Sequence, residues 1–290
     1  MFIEPMYALP IPNLQKKPKA KPFILEPGLY SAEEKIDGIR IITEISDNSE
    51  TLFVNKGVTA WSRYGNLRPH PKHIEEQLAK LPNCIIDGEL CAPGKRSYGT
   101  MDLDNTEDLV YYVFDIIRLL NIDETQNMWI TRQEHLQSIL SDLDGPVQLL
   151  PTTEVNTWNE IYALRDTVWA RDGEGLILKR INSLYTPGKR PKNTWIKIKQ
   201  LGCDPFTVIG FEASRGLKNN RGPYAMTKVR DREGIITQVK TKNDAQCRLF
   251  EERGKTIPHP DIGRILMCEY QERTPDGEYR HIRWDRWEDE

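Results

Sequence analysis

Hydrophobic and polar positions change rhythm near residue 204. Before it, apolar runs of strand length alternate with stretches of helical period. After it, short alternating segments succeed one another with glycines between. Residues 1–22 are rich in proline and lysine and read as an extended basic arm. Residues 23–30 lead into a strand pair around Lys35, with Ile39, Ile41 and Ile42 as strand positions. Residues 51–62 alternate around Asn55-Lys56-Gly57, a hairpin signal. Residues 71–81 predict an amphipathic helix with proline near its start. Cys84, Ile85 and Ile86 predict a buried strand with Asp87 and Glu89 at or beside its end, and residues 91–108 a polar loop. An apolar run at 109–117 has strand length.

Thr131 to Glu134 forms a capping-box pattern opening a helix to about residue 142. Thr157 to Glu160 opens another, with Ile161, Leu164 and Val168 at helical spacing and an end near Asp172-Gly173. Residues 174–179 predict a buried strand with charged ends. Residues 195–199 alternate with period two, so Trp195, Lys197 and Lys199 share one face. Beyond the change of rhythm, strands are expected at 206–211, 225–230, 235–239 and 265–270, punctuated by Gly216, Gly222, Gly234 and Gly254. That texture predicts a small barrel or sandwich. The division is an arm at 1–22, an α+β domain at 23–203 and an all-β domain at 204–290.

Composition narrows the class. Of the 290 residues, 38% are hydrophobic and 29% charged, which suits a soluble chain with a substantial core. No apolar run approaches the roughly 20 residues of a membrane helix, and the N-terminus lacks the basic n-region of a signal peptide. The five cysteines are widely spaced without a CxxC pair, so neither a zinc site nor a disulfide framework is expected, and a reduced, cytoplasmic setting follows. The formal net charge of −3 hides basic stripes. Lys16, Lys17, Lys19 and Lys21 form one. Seven lysines and arginines with no acid between Lys179 and Lys199, among them Lys189, Arg190 and Lys192, form a second. Arg215, Lys218, Arg221, Lys228 and Arg230 form a third. An acidic protein can bind a polyanion through such stripes, whereas a single charge run is often only a solvated face.

The candidate chemistry centres on Lys35-Ile36-Asp37-Gly38-Ile39-Arg40. A lysine at a strand edge, with an acid and an arginine at short offsets, suits a covalent amine nucleophile. Gly38 lets backbone approach a ligand, and Arg40 can hold a phosphate or ribose. Lys197 and Lys199 on one strand face, beside such a lysine, suggest an anion site.

Taken together, these residues resemble the ATP-dependent DNA ligases of the covalent nucleotidyltransferase superfamily. The resemblance rests on KIDGIR at 35–40, SRYGN at 62–66, DGEL at 87–90, YYVFDII at 111–117, EGLILK at 174–179 and WIKIK at 195–199, in family order. It implies an α+β nucleotidyltransferase (adenylation) domain of antiparallel sheets with flanking helices, followed by a small OB-fold domain. It implies that Lys35 carries AMP, Glu33 lies near the adenine, and Arg40 and Glu89 contact the ribose. Arg63 would reach a phosphate and Phe114 would stack on the adenine, against the usual reading of such an aromatic as core. Glu174, with Glu89, would hold Mg2+ or Mn2+, and Lys197 and Lys199 would neutralise phosphates. Asp37 belongs to the nucleophile motif.

DNA contacts are expected from Lys16, Lys17, Lys19, Lys21, Lys189, Arg190 and Lys192, and in the second domain from Arg215, Lys218, Arg221 and Lys228. Arg283, Arg286 and Asp289, with Arg280 nearby, look like the motif that orients pyrophosphate. With 34 residues before Lys35 and no cysteine cluster, ATP rather than NAD is the expected cofactor. The expected partner is nicked duplex DNA, with no membrane or protein partner and a monomeric state. An RNA ligase or an mRNA-capping guanylyltransferase shares the lysine chemistry. A nucleic-acid-binding protein with a dead nucleotide pocket is the reading from another class.

Overall fold

The computed structural model describes residues 2–10, 23–47, 56–93, 106–199, 201–213, 222–255, 259–274 and 277–289. It divides into two compact units, Met1–Lys199 and Gln200–Glu290. No helix among the described residues is long and apolar enough to cross a membrane.

The first unit holds two sheets. One joins β1 (Leu9–Pro10), β11 (Trp195–Lys199), β10 (Gly175–Arg180), β2 (Tyr30–Glu34) and β9 (Thr152–Val155), in that order. The other runs β4 (Lys56–Ser62), β3 (Ile39–Asp47), β5 (Cys84–Cys91), β6 (Val110–Leu119) and β7 (Ile122–Asp123), with β8 (Val147–Leu149) paired parallel to β6. Helices α1 (Lys72–Leu78) and α2 (Trp129–Leu140) bury Ile74, Leu78, Leu136 and Leu140 against Ile41, Ile45, Ile86 and Val113 of the second sheet. Helix α3 (Trp158–Ala170) buries Ile161 and Val168 against Tyr30, Leu178 and Ile196 of the first. Between the sheets, Ile42, Ile85 and Ile117 meet Met6, Tyr185 and Trp195.

Several expectations shift. The N-terminal arm is partly packed: Met6 is fully buried and Leu9 pairs in parallel with Ile196. The predicted Asn55-Lys56-Gly57 turn is not a turn across its described part. Lys56 and Gly57 start β4, opposite Asp47 and Ser46 of β3; Asn55 lies outside the described residues. Asp87 and Glu89 are not at a strand end but inside β5, where charges from other strands compensate them.

The helix assigned to the Thr131 capping box begins three residues earlier, at Trp129 with Met128 rather than Thr131 as N-cap, and Met128 makes no side-chain cap. Its start is set by tertiary hydrogen bonds, Trp129 N to Ser183 O (2.8 Å) and Ile130 N to Ile181 O (2.9 Å). Arg132 of the supposed box turns inward to a bidentate pair with Asp115 (2.6 and 3.0 Å), both fully buried. The Thr157 box forms as expected, each side chain bonding the other's backbone.

The second unit is a five-stranded antiparallel sheet, β14 (Ile236–Lys240), β13 (Met226–Arg230), β12 (Gly202–Glu212), β15 (Ile265–Tyr270) and β18 (Arg283–Trp287). A small pair, β16 (Glu272–Arg273) and β17 (Tyr279–Arg280), accompanies it. Lys242, just beyond β14, donates to Asp285 O in β18 (3.1 Å), so the sheet's two edges curl toward each other. Four elements of this unit escaped the sequence reading: β16, β17, β18 and α4 (Asp244–Arg253), a helix capped by Asn243 that buries only Cys247 and Phe250.

The two polar devices on helices differ in weight. Arg132→Met leaves the Asp115 carboxylate buried and uncompensated and should cost about 3–5 kcal/mol. Thr157→Ala removes an exposed cap and should cost about 1 kcal/mol. Urea unfolding of both variants checks this; equal losses would contradict it.

Candidate active site

Period-two alternation sorts the first sheet into two chemistries. Ala32, Leu176, Leu178 and Ile198 point into the core beneath α3. The opposite face carries Glu33, Ile177, Lys179, Trp195, Lys197 and Lys199, and Glu33 lies across from Ile177, which lies across from Lys197. That polar face looks toward the second sheet.

Lys35 follows directly on β2, and its backbone N–H bonds Gly175 O (2.8 Å). Its Nζ donates to Glu174 Oε2, while Lys199 Nζ pairs with Glu174 Oε1. Glu174 is 3% exposed and the two lysine side chains about a quarter, so a buried carboxylate bridges two accessible ammonium groups. Gly175 makes this possible. Its φ is +142°, and a Cβ there would stand 2.0 Å from Ile198 O. Gly38 brings the loop after Lys35 onto β5, where any Cβ would meet Leu90 O at 2.4 Å. Lys35 and Arg40 thereby act on Glu89. Burial pushes that carboxyl up to about 7, against the pull of both cations and with a further push from Glu174.

Arg40 on β3 makes a bidentate pair with Asp87 (2.9 and 2.5 Å), and Tyr185 Oη donates to the same carboxylate (2.7 Å). Burial works against the guanidinium's charge, but Asp87 outweighs it and holds the pKa above the usual arginine value. The Arg40 guanidinium lies 5.3 Å from the half-buried Phe114 ring, and Lys179 Nζ lies 4.6 Å from it. Lys179 is buried with Glu33 at 2.7 Å, donates to Phe114 O (2.9 Å), and sits 4.4 Å from the Trp195 ring. Burial pushes the Glu33 carboxyl up to about 7 despite Lys179. Its Oε1 is buried without a hydrogen-bond partner.

Lys197 is the centre of a cationic group. Its pKa is lowered by burial first, then by Lys199, Lys35 and Arg190. Arg63 and Arg190 are exposed and lie over tyrosine rings, Tyr64 at 4.7 Å and Tyr7 at 5.2 Å. Asp37 sits between β2 and β3. With burial and then Glu89 and Glu34, it pushes the Cys91 thiol up to about 12. Among the described residues, no group of three or more histidine, cysteine, aspartate and glutamate side chains is arranged to hold a metal.

The structure thus brings together Glu33, Lys35, Arg40, Glu89, Phe114, Glu174, Lys197 and Lys199. The basic run at 179–199 does not act as one stripe: Lys179 is buried, Arg180 pairs with Glu26 (2.7 Å), and Lys189, Arg190 and Lys192 remain exposed. Lys16, Lys17, Lys19, Lys21, Arg215, Lys218 and Arg221 lie outside the described residues. In the second unit Lys228 pairs with Glu212. Arg283, Arg286 and Asp289 do not converge; they pair separately with Glu269 (3.0 Å), Asp285 (2.6 Å) and Arg264 (3.0 Å).

Sequence reasoning missed Lys179, Asp87 and Tyr185 as parts of this cluster. The signal for Lys179 was present, since period two puts it on the Ile177 face. Asp87 and Tyr185 find each other across 98 positions, which no local pattern shows.

Residues 15–199 match the family model described as ATP dependent DNA ligase domain. The chain is 29% identical over 284 residues to the DNA ligase of Methanothrix thermoacetophila, covering 87% of this chain and 50% of that protein. It is 29% identical over 219 residues to DNA ligase 4 of Eremothecium gossypii, covering 64% of this chain and 22% of the relative. The chain therefore spans half or less of these relatives' length. A solved Lig E DNA ligase superposes with a TM-score of 0.70 at 19% identity, covering 90% of this chain and 93% of that one, which establishes a shared fold.

The Glu89 environment predicts a pH dependence. Its folded pKa, about 7, lies above the ordinary 4.5. The folded state then holds more protons between those values, so stability falls as pH rises through that window. Thermal melting at pH 5 and pH 7.5 should show a larger loss for the wild type than for Glu89→Gln. Equal losses would contradict the assigned burial.

Proposed function

The chain belongs to the ATP-dependent DNA ligase domain family, and on that premise we propose that it joins a 5′-phosphate to a 3′-hydroxyl at nicks in duplex DNA at the expense of ATP. The observation that carries this reading is Lys35 held on Glu174 beside Lys199 and Lys197, on the polar face of a sheet that also presents Glu33. The family match does not favour the RNA-joining and capping alternatives.

In the first step the Lys35 amine, having given up a proton, attacks the α-phosphorus of ATP. An N–P bond forms and the bond to pyrophosphate breaks. The 5′-phosphate at the nick then displaces the lysine, taking AMP in a new pyrophosphate linkage. Finally the 3′-hydroxyl attacks that 5′-phosphorus, the phosphodiester forms and AMP leaves. Phosphoryl transfer of this kind needs in-line placement and charge neutralisation more than acid–base groups.

The residues divide that work. Phe114 offers a face to the adenine, and the unpartnered Glu33 Oε1 offers an acceptor for an amino group on it. Arg40, fixed by Asp87, and Glu89 are assigned to the ribose. Lys197 and Lys199 neutralise phosphate charge, and exposed Arg63 is assigned to a further phosphate. Glu174 and Glu89 would be the carboxylates to hold a hard divalent cation of the Mg2+ type: burial raises the Glu89 carboxyl, Glu174 adds a smaller push, and such an ion would offset both. Such an ion takes oxygen ligands and keeps several waters, so two carboxylates suffice beside substrate phosphates. It would supply charge neutralisation at the phosphates. Exposed Lys189 and Lys192, with the basic segment at 16–21, are assigned to DNA backbone contacts.

Incubation with ATP and magnesium should add one AMP, detectable by intact mass and lost on addition of nicked duplex. Lys35→Ala should abolish the adduct, and Lys199→Ala should slow its formation by about 10²–10³-fold. An undiminished adduct in Lys35→Ala would overturn the assignment. Neutralising Lys189 and Lys192 together should reduce the slope of log affinity against log salt for nicked DNA by roughly 2; an unchanged slope would remove them from the interface.

A further inference from the structure

Most arginines near the cleft are neutralised by a carboxylate: Arg40 by Asp87, Arg132 by Asp115, Arg171 by Glu34, Arg180 by Glu26. Arg190 differs. Among the described residues no carboxylate pairs with it; the Tyr7 ring lies under its guanidinium at 5.2 Å. A cation–π contact fixes a cation's place through the ring quadrupole and leaves its charge and its N–H donors unspent. An ion pair would consume both. Arg190 also acts electrostatically on Lys197, so its charge reaches the cationic group described above.

The segment carrying Tyr7 is fixed on both sides. Met6 is fully buried, its N–H reaches Tyr185 Oη (3.1 Å), and its sulfur accepts from Thr186 N (3.1 Å). Tyr7 N donates to Lys189 O (2.9 Å), directly beside Arg190, and Gly188 N to Glu4 O (3.0 Å). Leu9 and Pro10 then pair with Ile196 and Lys197. These bonds lock the segment whatever side chain stands at position 7. The Tyr7 ring is only half-buried, so the core does not require it. Its hydroxyl donates to exposed Glu4 Oε1 (3.2 Å).

We propose that Tyr7 is a positioning residue that holds Arg190, un-neutralised, for a phosphate group of the substrate. Arg63 over Tyr64 at 4.7 Å, also without a carboxylate partner among the described residues, repeats the arrangement. The inference rests on the ligase reading only for the identity of the substrate; the phosphate chemistry stands by itself.

The test compares Tyr7→Phe, Tyr7→Leu, Tyr7→Glu, Arg190→Gln and the Leu–Gln double variant of the full chain. Readouts are the ATP concentration dependence of AMP-adduct formation, the nick concentration dependence of AMP transfer, and calorimetric binding of tripolyphosphate, which needs no catalysis. Tyr7→Leu should raise the half-saturating concentration about two- to five-fold, for the same substrate that Arg190→Gln affects, with the maximal rate nearly unchanged. The double variant should be no worse than Arg190→Gln alone, Tyr7→Phe should match the wild type, and Tyr7→Glu should be worse than Tyr7→Leu because it neutralises the guanidinium.

Additive effects, a silent Tyr7→Leu, or effects on different substrates would overturn the proposal. Where Tyr7→Leu does not fold, ring-fluorinated phenylalanines at position 7 weaken the quadrupole at constant shape. A graded loss supports the proposal and a flat series overturns it. A wild type that binds tripolyphosphate, with Tyr7→Leu and Arg190→Gln weakening it equally, yet takes no AMP from ATP would sink the ligase reading while leaving the role of Tyr7 standing.

Discussion

Charge buried between two sheets is the constraint on which this structure turns. One carboxylate, Glu174, is almost wholly removed from water and touches two lysines that are not. Around it, Asp87 is held by Arg40 and Tyr185, Glu33 by Lys179, and Asp115 by Arg132. The partners come from separate strands, a helix and the loop that carries Tyr185. An uncompensated ion in such a place would be very costly, so the sheets can pack only in the register that closes these pairs. The same pairing leaves some groups unspent: one oxygen of Glu33, the lowered amine of Lys197, and the Arg190 guanidinium resting on a ring. Those are the groups to which a nucleotide could contribute what the chain does not.

The scaffold explains why the cluster faces one way. In β2, β10 and β11, alternate residues sink into the core beneath α3, which forces the intervening ones onto the cleft face. Two glycines set the distances. Gly175 admits the start of β10 against β11, and Gly38 lays the nucleophile loop on β5. Larger residues would push Glu174 away from Lys199, or Lys35 away from Glu89. The site is thus built mainly on strands, which hold side chains more rigidly than loops do.

Much of this was legible in the chain. Strand alternation at 195–199 fixed which residues share a face with Lys197, and the Thr157 capping box gave a helix start within a residue. What failed did so where distant parts decide. The α2 start is capped by Ser183 and Ile181, so a local box at Thr131 misled. Asp87 and Glu89 looked like strand-end acids because their compensating cations, Arg40 and Lys35, lie some 50 positions away. The basic run at 179–199 concealed Lys179, whose partners Glu33 and Trp195 appear only once three strands are paired. Helix α4 has a mostly polar sequence and buries only two residues, a face too narrow to register as helical period.

The central claim is that this polar face exists to make Lys35 a carrier of AMP. Peptide mapping by tandem mass spectrometry after incubation with ATP and magnesium addresses it most directly. The account predicts AMP on the peptide containing Lys35, at that residue and no other. AMP attached instead to Lys179, Lys197 or Lys199, or no adduct at all, would contradict it.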